Sequence, residues 1–398
     1  MMSCPEAEII KARHDLQEAE ARTGPEDPSL SPLLLKLAEC LQKNGRLDQA
    51  EPFFHRHLDM VAAASGPESI EAAGAVNALA INISMQHRYR EAAPLYQRAL
   101  EIRRLKLGHD HPEVAKLLNN LGGLMTRTGE YAEAEEYLDR ALEIYQKQGL
   151  GESASAAKCL GNLMGVYKET GRLSLSEQTA ERALALAQKL FDEDHPVYSI
   201  LLNNLAAVYS VNQKAPQAVE LLLKGIELKQ KHHGPEHPDL IIYLNNLADA
   251  YAVQHMYSQA ESTFQRALAI GERRLGPSHP FTGISHLGLG VLFTQQGEAG
   301  KAGRELEQAL EILRSAWGEW HPDVATAYYK YGDLQLGENR LPQAEEAYQS
   351  AIKILLQTVG EHHPWVRDIY KKLSRICFAQ ERGAEGELFL KKSLEKAG

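Results

Sequence analysis

The dipeptide His-Pro recurs along the chain at a fixed interval, and this interval limits the possible folds more than any other feature. Its successive copies are 84, 42, 42, 42 and 42 residues apart, at His111, His195, His237, His279, His321 and His363. The same register extended backwards reaches Asp27, Ser69 and Ser153, each with a glycine two or three residues upstream. The pattern predicts an array over residues 27–398 without an insertion. Its 42-residue units start at residues 27, 69, 111, 153, 195, 237, 279, 321 and 363.

Each unit carries two helical patterns. Counting its first residue as position 0, apolar residues recur at positions 7, 10 and 14, as in Leu118, Leu121 and Met125, a spacing that places them on one helix face. A turn is predicted near position 18, where four units have glycine. The second helix ends at a glycine three residues before the next unit, and the proline at position 1 opens the next helix. We therefore predict an all-α fold of antiparallel helix pairs.

Small residues occupy position 11, one place after a core leucine, and include Gly122, Gly290 and Gly332. Glycine inside a helix costs ~1 kcal/mol relative to alanine, so we expect the two helices of a pair to approach closely there. The alanines at positions 23 and 30, such as Ala134 and Ala141, are predicted to form the complementary surface.

Both ends of the array are predicted to be caps. Residues 1–26 contain one helical pattern, from about Pro5 to Arg22, followed by the same Gly-Pro-Glu connector. The ninth unit degenerates and ends in a lysine-rich helix. Because the ends of a solenoid need a polar outer surface, we predict an N-terminal capping helix over residues 1–26 and a C-terminal cap in the last unit.

Composition excludes several classes of protein. Hydrophobic residues make up 44% and charged residues 24% of the 398 residues, which is too apolar for a disordered chain. The net charge of −10 argues against nucleic acid as the main partner. No apolar run approaches the ~20 residues of a membrane span, and the N-terminus lacks the pattern of a signal peptide. We therefore expect no membrane insertion and a cytoplasmic location.

No motif in the sequence nominates a catalytic residue, a metal site or a cofactor. The four cysteines lack the spacing of a zinc site or a disulfide framework. Six of the sixteen histidines occupy position 0, where other units have Asp27, Ser69 or Ser153. Because all three residue types accept a hydrogen bond, capping of the helix N-terminus is sufficient to explain these histidines.

A family resemblance is carried by the segment LNNLGGLMTRTGEYAEAEEYLDRALEIY at residues 118–145, which resembles a tetratricopeptide repeat. The 42-residue unit, with LNNLA, a Gly-x-Tyr turn and a closing LGPxHP, is similar to the repeats of kinesin light chains and nephrocystin-3-like proteins. The resemblance implies a right-handed superhelical solenoid whose concave wall is built from the first helices. Kinesin light chains also carry an N-terminal heptad segment that binds the heavy chain. Residues 1–26 are too short to supply one, so a role as cargo adaptor of a kinesin-like motor is retained only as an alternative.

Asparagine dominates positions 8 and 9, which lie on the concave wall in the family that the chain resembles. An asparagine amide offers two donors and an acceptor, so a line of them suits the backbone of an extended peptide whatever its side chains. The alternative is a polar ladder, in which asparagines of adjacent helices satisfy each other. The predicted peptide-binding groove consists of Asn77, Asn119, Asn120, Asn162, Asn203, Asn204, Asn245, Asn246, Tyr329, Lys330 and Lys371.

Toward the C-terminus the same wall becomes aromatic and basic, through Tyr329, Lys330, Lys371 and Lys372. One interpretation is a site for an acidic or carboxylate-bearing ligand, and the other is a solvated basic surface at the capping end. The three tryptophans are interpreted as packing of the terminal stack, with a partner surface as the alternative. They are Trp317, Trp320 and Trp365.

These observations together predict a non-catalytic interaction scaffold or adaptor, which holds an extended peptide of a partner protein in its concave groove. Two other roles remain open. One is a regulatory sensor, because repeat arrays have only nearest-neighbour contacts and change pitch easily. The other is a structural subunit that buries its convex surface in a larger assembly.

Overall fold

The computed structural model describes residues 6–192, 196–358, 360–361 and 363–394. Within these residues the regular structure consists of nineteen α-helices and one short 3-10 helix, without a β-strand. The all-α fold of helix pairs predicted from the period is confirmed. His195 and His362 lie outside the described residues.

Helix α1 (Glu6–Thr23) precedes the repeats and packs on α2, while its role as a cap stays a prediction. The first helices of the nine repeats are α2 (Ser31–Lys43), α4 (Ile70–Met85), α6 (Pro112–Thr128), α8 (Ala154–Glu169), α10 (Pro196–Val211), α12 (Leu240–Val253), α14 (Pro280–Gln295), α16 (Pro322–Gly337) and α18 (Pro364–Ala379). The second helices are α3 (Leu47–Ser65), α5 (Tyr89–Leu107), α7 (Tyr131–Lys147), α9 (Leu173–Leu190), α11 (Ala215–His233), α13 (Tyr257–Arg274), α15 (Ala299–Trp317), α17 (Leu341–Thr358) and α19 (Gly383–Leu394). The 3-10 helix (Pro28–Leu30) leads into α2.

Wherever it is described, the residue at position 0 accepts a backbone hydrogen bond at or just before the start of the first helix. Asp27 accepts from the N–H of Ser29 at 2.8 Å, in the 3-10 helix before α2, and His237 does so in the turn before α12. The Ser69 hydroxyl accepts from the N–H of Ala72 at 3.0 Å, and the Ser153 hydroxyl accepts from the N–H of Ala156 at 3.2 Å. The histidines accept through Nδ1 from the N–H two residues later, at 3.1 to 3.3 Å; they are His111, His237, His279, His321 and His363. The predicted capping role is confirmed for these residues.

The turn between the two helices of a pair has a left-handed residue at position 18 in all nine repeats. Glycine takes this conformation at Gly45, Gly129, Gly171 and Gly297, with φ between 73° and 85°. The other five repeats use His87, Gln213, His255, Asn339 and Glu381, with φ between 57° and 61°. The turn geometry is therefore common to the array, although glycine marks it in the sequence of only four repeats.

The close approach predicted at position 11 is confirmed. A Cβ added to Gly290 would lie 2.6 Å from Cγ of Leu306, and one added to Gly332 would lie 2.7 Å from Cε1 of Tyr348. Both partners stand at position 27 of the same repeat. The predicted alanine surface at positions 23 and 30 is thus a secondary contributor, because the large side chain at position 27 fills the space over the glycine.

The described residues pack as two compact bodies, one within residues 1–127 and 132–151 and the other within residues 128–131 and 152–398. In the first body the paired helices α2 and α3, and α4 and α5, pack side by side around buried leucine and alanine. In the second body each first helix from α8 to α14 also contacts the next first helix, whereas second helices pack mainly on first helices. Because the first helices lie closer together, they line the concave side of this body.

Candidate functional site

Positions 8 and 9 of the first helices differ in depth. At position 8, Asn77, Asn119 and Asn245 are buried, with 7%, 4% and 7% relative exposure, whereas Asn203 is half-buried. The position-9 side chains are half-buried at the surface; they are Asn120, Asn162, Asn204 and Asn246. A ligand on the first helices therefore meets the position-9 amides before those at position 8.

Asparagines of successive repeats are hydrogen-bonded to each other. Nδ2 of Asn120 donates to Oδ1 of Asn77 at 3.2 Å, and Nδ2 of Asn246 donates to Oδ1 of Asn203 at 2.8 Å. Both bonds join position 9 of one repeat to position 8 of the repeat before it. The hydroxyl of Ser285 donates to Oδ1 of Asn245 at 3.1 Å. A polar ladder therefore exists and uses part of the predicted clamp, while each donating amide keeps a second N–H and its oxygen.

Asn204 departs from this ladder. Its partner position in the preceding repeat is occupied by Gly161, which has no side chain. Among the described residues nothing hydrogen-bonds to the Asn204 amide. Both donors and the acceptor of this side chain are thus available to a ligand.

The adjacent first helices α10 and α12 present matching surface positions around these amides. Residues 200, 204 and 211 share one face of α10, and residues 242, 246 and 253 share the equivalent face of α12, because both sets are spaced by four and seven residues. The apolar members are Ile200, Ile242, Val211 and Val253, with 45%, 43%, 51% and 54% relative exposure. We name this surface, completed by Asn204, Asn246 and Asp249, the α10–α12 face.

Asp249 is the charged member of the α10–α12 face. Its side chain is exposed on α12, which packs between the first helices α10 and α14. Desolvation by the surrounding protein raises the pKa of Asp249 to about 7, although Lys330 acts in the opposite direction. Sequence analysis missed Asp249 and the apolar residues, since it considered only positions 8 and 9. The repeated four-and-seven spacing was the available signal.

The residues predicted at the C-terminal end form an internal network. The Tyr329 hydroxyl donates to Oδ2 of Asp368 at 2.6 Å, and Nζ of Lys372 donates to the Tyr329 oxygen at 2.7 Å. Lys372 also donates to Oδ1 of Asp333 at 2.5 Å, which accepts from the Tyr348 hydroxyl at 2.6 Å. Burial, with the nearby Asp368 carboxylate, raises the pKa of Tyr329 to about 12. Lys372 is therefore neutralised within the network, contrary to the idea of a basic wall formed by this residue.

The remaining residues predicted at the C-terminal end take less part in this network. Lys371 is exposed, and Nζ of Lys330 lies 5.2 Å from the ring centroid of Tyr329. Trp365 stacks on Tyr329 with ring centroids 5.9 Å apart, and Trp317 stacks on His321 at 3.9 Å. The structure brings Tyr329 and Trp365 together as packing, in agreement with the first interpretation of the tryptophans.

Two clusters of side chains have the chemistry of metal ligands, and both make contacts within the protein. The rings of His233 and His237 lie 4.7 Å apart beside a cavity of about 340 Å³ at the connector. Within the described residues, three ligand-type side chains converge at Glu345, Cys377 and Glu385. Arg382 binds both carboxylates there, at 2.5 and 2.8 Å. Since Arg382 is ion-paired with both carboxylates, ion pairing accounts for this cluster.

Comparison with known proteins gives one family. Models of the tetratricopeptide repeat match residues 29–104, 71–147, 152–231, 199–272, 239–315 and 302–357. No curated protein matches the chain. Within the described residues, no helix is both long and apolar enough to cross a membrane.

Solved structures with related architecture include three helical-repeat proteins. The apo form of RapI is 16% identical with a TM-score of 0.54, and the match covers 72% of this chain and 98% of RapI. BtubC (BKLC) from P. vanneervenii is 25% identical with a TM-score of 0.48, over 57% of this chain and 92% of BtubC. Nearly identical TPR-like repeats of a kinesin light chain candidate from Podosopora anserina are 19% identical with a TM-score of 0.32, over 62% and 97% of the two chains. The likeness to RapI shows a shared fold.

Proposed function

We propose that this chain, which belongs to the tetratricopeptide repeat family, is a scaffold that holds an extended peptide of a partner protein on its first helices. Members of this family in general bind protein partners and are not catalysts. The α10–α12 face of the second body is the proposed centre of this site. Backbone groups of the peptide bond to the asparagine amides, and its side chains pack against the exposed isoleucines and valines.

The observation that carries the proposal is the amide of Asn204, which has no hydrogen-bond partner among the described residues. Asparagine is disfavoured inside a helix unless its side chain has a partner, and the ladder that explains Asn120 and Asn246 gives Asn204 none. The apolar residues beside it are exposed on the same face, where covering them removes apolar surface from water and favours binding. A bound peptide satisfies both requirements.

The energies of these contacts account for part of a complex of moderate affinity. Two hydrogen bonds from Asn204 contribute ~1–3 kcal/mol net. Covering about 200 Å² of apolar surface on the α10–α12 face contributes ~5 kcal/mol. These gross contributions add to ~6–8 kcal/mol, and association costs at least ~4 kcal/mol, so micromolar binding, ~8 kcal/mol net, requires further contacts of the peptide along the first helices.

The test is selection of peptides from a displayed random library with the purified chain, followed by affinity measurements on single variants. We expect the enriched peptides to bind Asn204→Leu at least about tenfold more weakly than the parent, the loss of one to two hydrogen bonds. Gln265→Leu is the matched control, because it makes the same kind of change at an exposed amide of the second helix α13. It is expected to bind like the parent.

Asn204 is a sharper test than Asn120 or Asn246, because substitution of a ladder residue also removes an interhelical bond. Circular dichroism and thermal unfolding check that each variant is folded. Equal affinity of the parent and a folded Asn204→Leu variant contradicts the proposal and leaves the asparagines with the structural ladder alone.

A further inference from the structure

Asp249 is the only Asp, Glu, Lys or Arg residue in three successive first helices, α10, α12 and α14. These helices have 16, 14 and 16 residues. Charged residues make up 24% of the whole chain. At that average, helices of this combined length would carry about 11 of them. The histidine of this set, His286, is hydrogen-bonded to Glu305 of α15 at 2.7 Å. The concave surface around Asp249 is therefore apolar and amide-rich.

Within the described residues Asp249 forms neither a hydrogen bond nor an ion pair, and the cation that acts on it is Lys330 of α16. At the equivalent position of the neighbouring first helices stand Ala207 and Val291. Although its side chain is exposed, a carboxylate among uncharged helices and without a hydrogen-bond or ion-pair partner is unfavourable for the folded chain. The raised pKa of Asp249 expresses the same cost. Stability therefore does not explain an aspartate at this position.

We propose that Asp249 binds the side chain of a lysine or arginine in the peptide held on the α10–α12 face, with apolar residues of that peptide on both sides of the cation. The inference rests on the proposed function and names its ligand class. A cation supplies the missing partner of the carboxylate, and a charge-assisted hydrogen bond is stronger than a neutral one. The flanking apolar residues contact Ile200 and Ile242 at one end and Val211 and Val253 at the other.

The spacing of the α10–α12 face sets the length of the peptide. Ile242 and Val253 are eleven residues apart on α12, which corresponds to about 17 Å along the helix. An extended chain covers this distance in five to six residues. Asp249 lies about 6 Å from Val253 along the axis by the same rise per residue. The cation is therefore expected two residues from one apolar end.

The experiment uses hexapeptide pools with leucine at both ends and uncharged residues elsewhere, in which the third or fourth residue is arginine, glutamine or glutamate. Affinities are measured by fluorescence polarisation near pH 8, where the Asp249 carboxylate is ionised. Placing the fixed residue at either position tests both directions of the peptide. The proteins are the parent, Asp249→Asn, Asp249→Lys and the matched control Glu227→Gln, which removes an exposed carboxylate from the second helix α11.

We expect the parent to bind an arginine pool about tenfold or more tightly than the glutamine pool, as for a charge-assisted bond. Asp249→Asn is expected to abolish this preference, Asp249→Lys to reverse it in favour of glutamate, and Glu227→Gln to retain it. Equal affinities of the parent for arginine and glutamine pools, with both weakened by Asn204→Leu, overturn the role of Asp249 and leave the proposed function standing. Failure of every pool to bind the folded parent overturns both.

Discussion

At the scale of single residues, the turn between paired helices requires the same backbone conformation of residues of different types. Position 18 has a positive φ in every repeat, but five of the nine residues there are not glycine. A left-handed backbone costs a non-glycine residue roughly 1–2 kcal/mol. His87 and His255 recover part of this cost through hydrogen bonds to Tyr89 and Tyr257, at 2.7 and 2.9 Å.

Substitutions at position 18 should therefore change stability in opposite directions. Gln213, with φ of 58°, has no such bond among the described residues, so Gln213→Gly is expected to stabilise the chain by ~1 kcal/mol. Gly171→Ala is expected to destabilise it by ~1 kcal/mol, because φ is 73° and an added Cβ meets no atom within 4 Å. Urea unfolding measures both. Equal shifts of the same sign contradict a purely conformational cause.

At the scale of elements, the first helices α6, α14, α16 and α18 begin with a histidine cap that depends on protonation. The N-cap histidine accepts a hydrogen bond at Nδ1 only when that nitrogen is unprotonated. Burial lowers the pKa of His279 and of His363 below the usual histidine value of 6.5. Above pH 6.5 these groups are neutral in both the folded and unfolded chains. As the pH falls from 6.5 toward the lowered pKa values, the unfolded chain takes up protons first, and stability is lost.

The corresponding prediction uses the two residue types that the chain itself exchanges at position 0. Serine caps α4 and α8 without titrating, so the double variant His279→Ser/His363→Ser should retain its caps in acid. Between pH 7.5 and 5 we expect the free energy of unfolding to fall by ~1–2 kcal/mol more in the parent than in the variant, the value of one to two caps. Urea unfolding at each pH measures this difference. Parallel pH profiles contradict the histidine mechanism.

At the scale of the whole molecule, contacts join each helix mainly to its neighbours in the chain. Helix α13, for example, packs on α12 and α14. Stability in such an array is the sum of repeat and nearest-neighbour terms, so a local defect is expected to remain local. This distinguishes the chain from a globular domain with one shared core.

Phe264→Ala tests this expectation. Phe264 is 1% exposed in α13, and its removal leaves a cavity that costs ~3–5 kcal/mol. Hydrogen exchange should accelerate in α12, α13, α14 and α15 but stay unchanged in α4 and α5 of the first body. The control Gln265→Ala, at an exposed position of the same helix, should change neither. Uniform acceleration through the chain contradicts nearest-neighbour stability.

The local signals of the sequence were sufficient for the fold. The 42-residue period, the helical spacing of apolar residues and the caps at Ser69, Ser153 and the histidines all act within one repeat. For that reason the helix pairs, their ends and the close approach at Gly290 and Gly332 could be predicted without knowing how repeats stack. The partner of those glycines, at position 27, was not identified, because several residues of the second helix share that face.

The sequence by itself thus determined an all-α repeat array with asparagine-lined first helices. Only the tertiary structure decided that Asn246 bonds to Asn203 while Asn204 has no described partner, and that Lys372 is neutralised by Asp333. The reason is that these bonds join residues about one repeat apart, which meet only after the repeats stack. The raised pKa of Asp249 likewise depends on the uncharged helices packed around it, an environment that no single repeat contains.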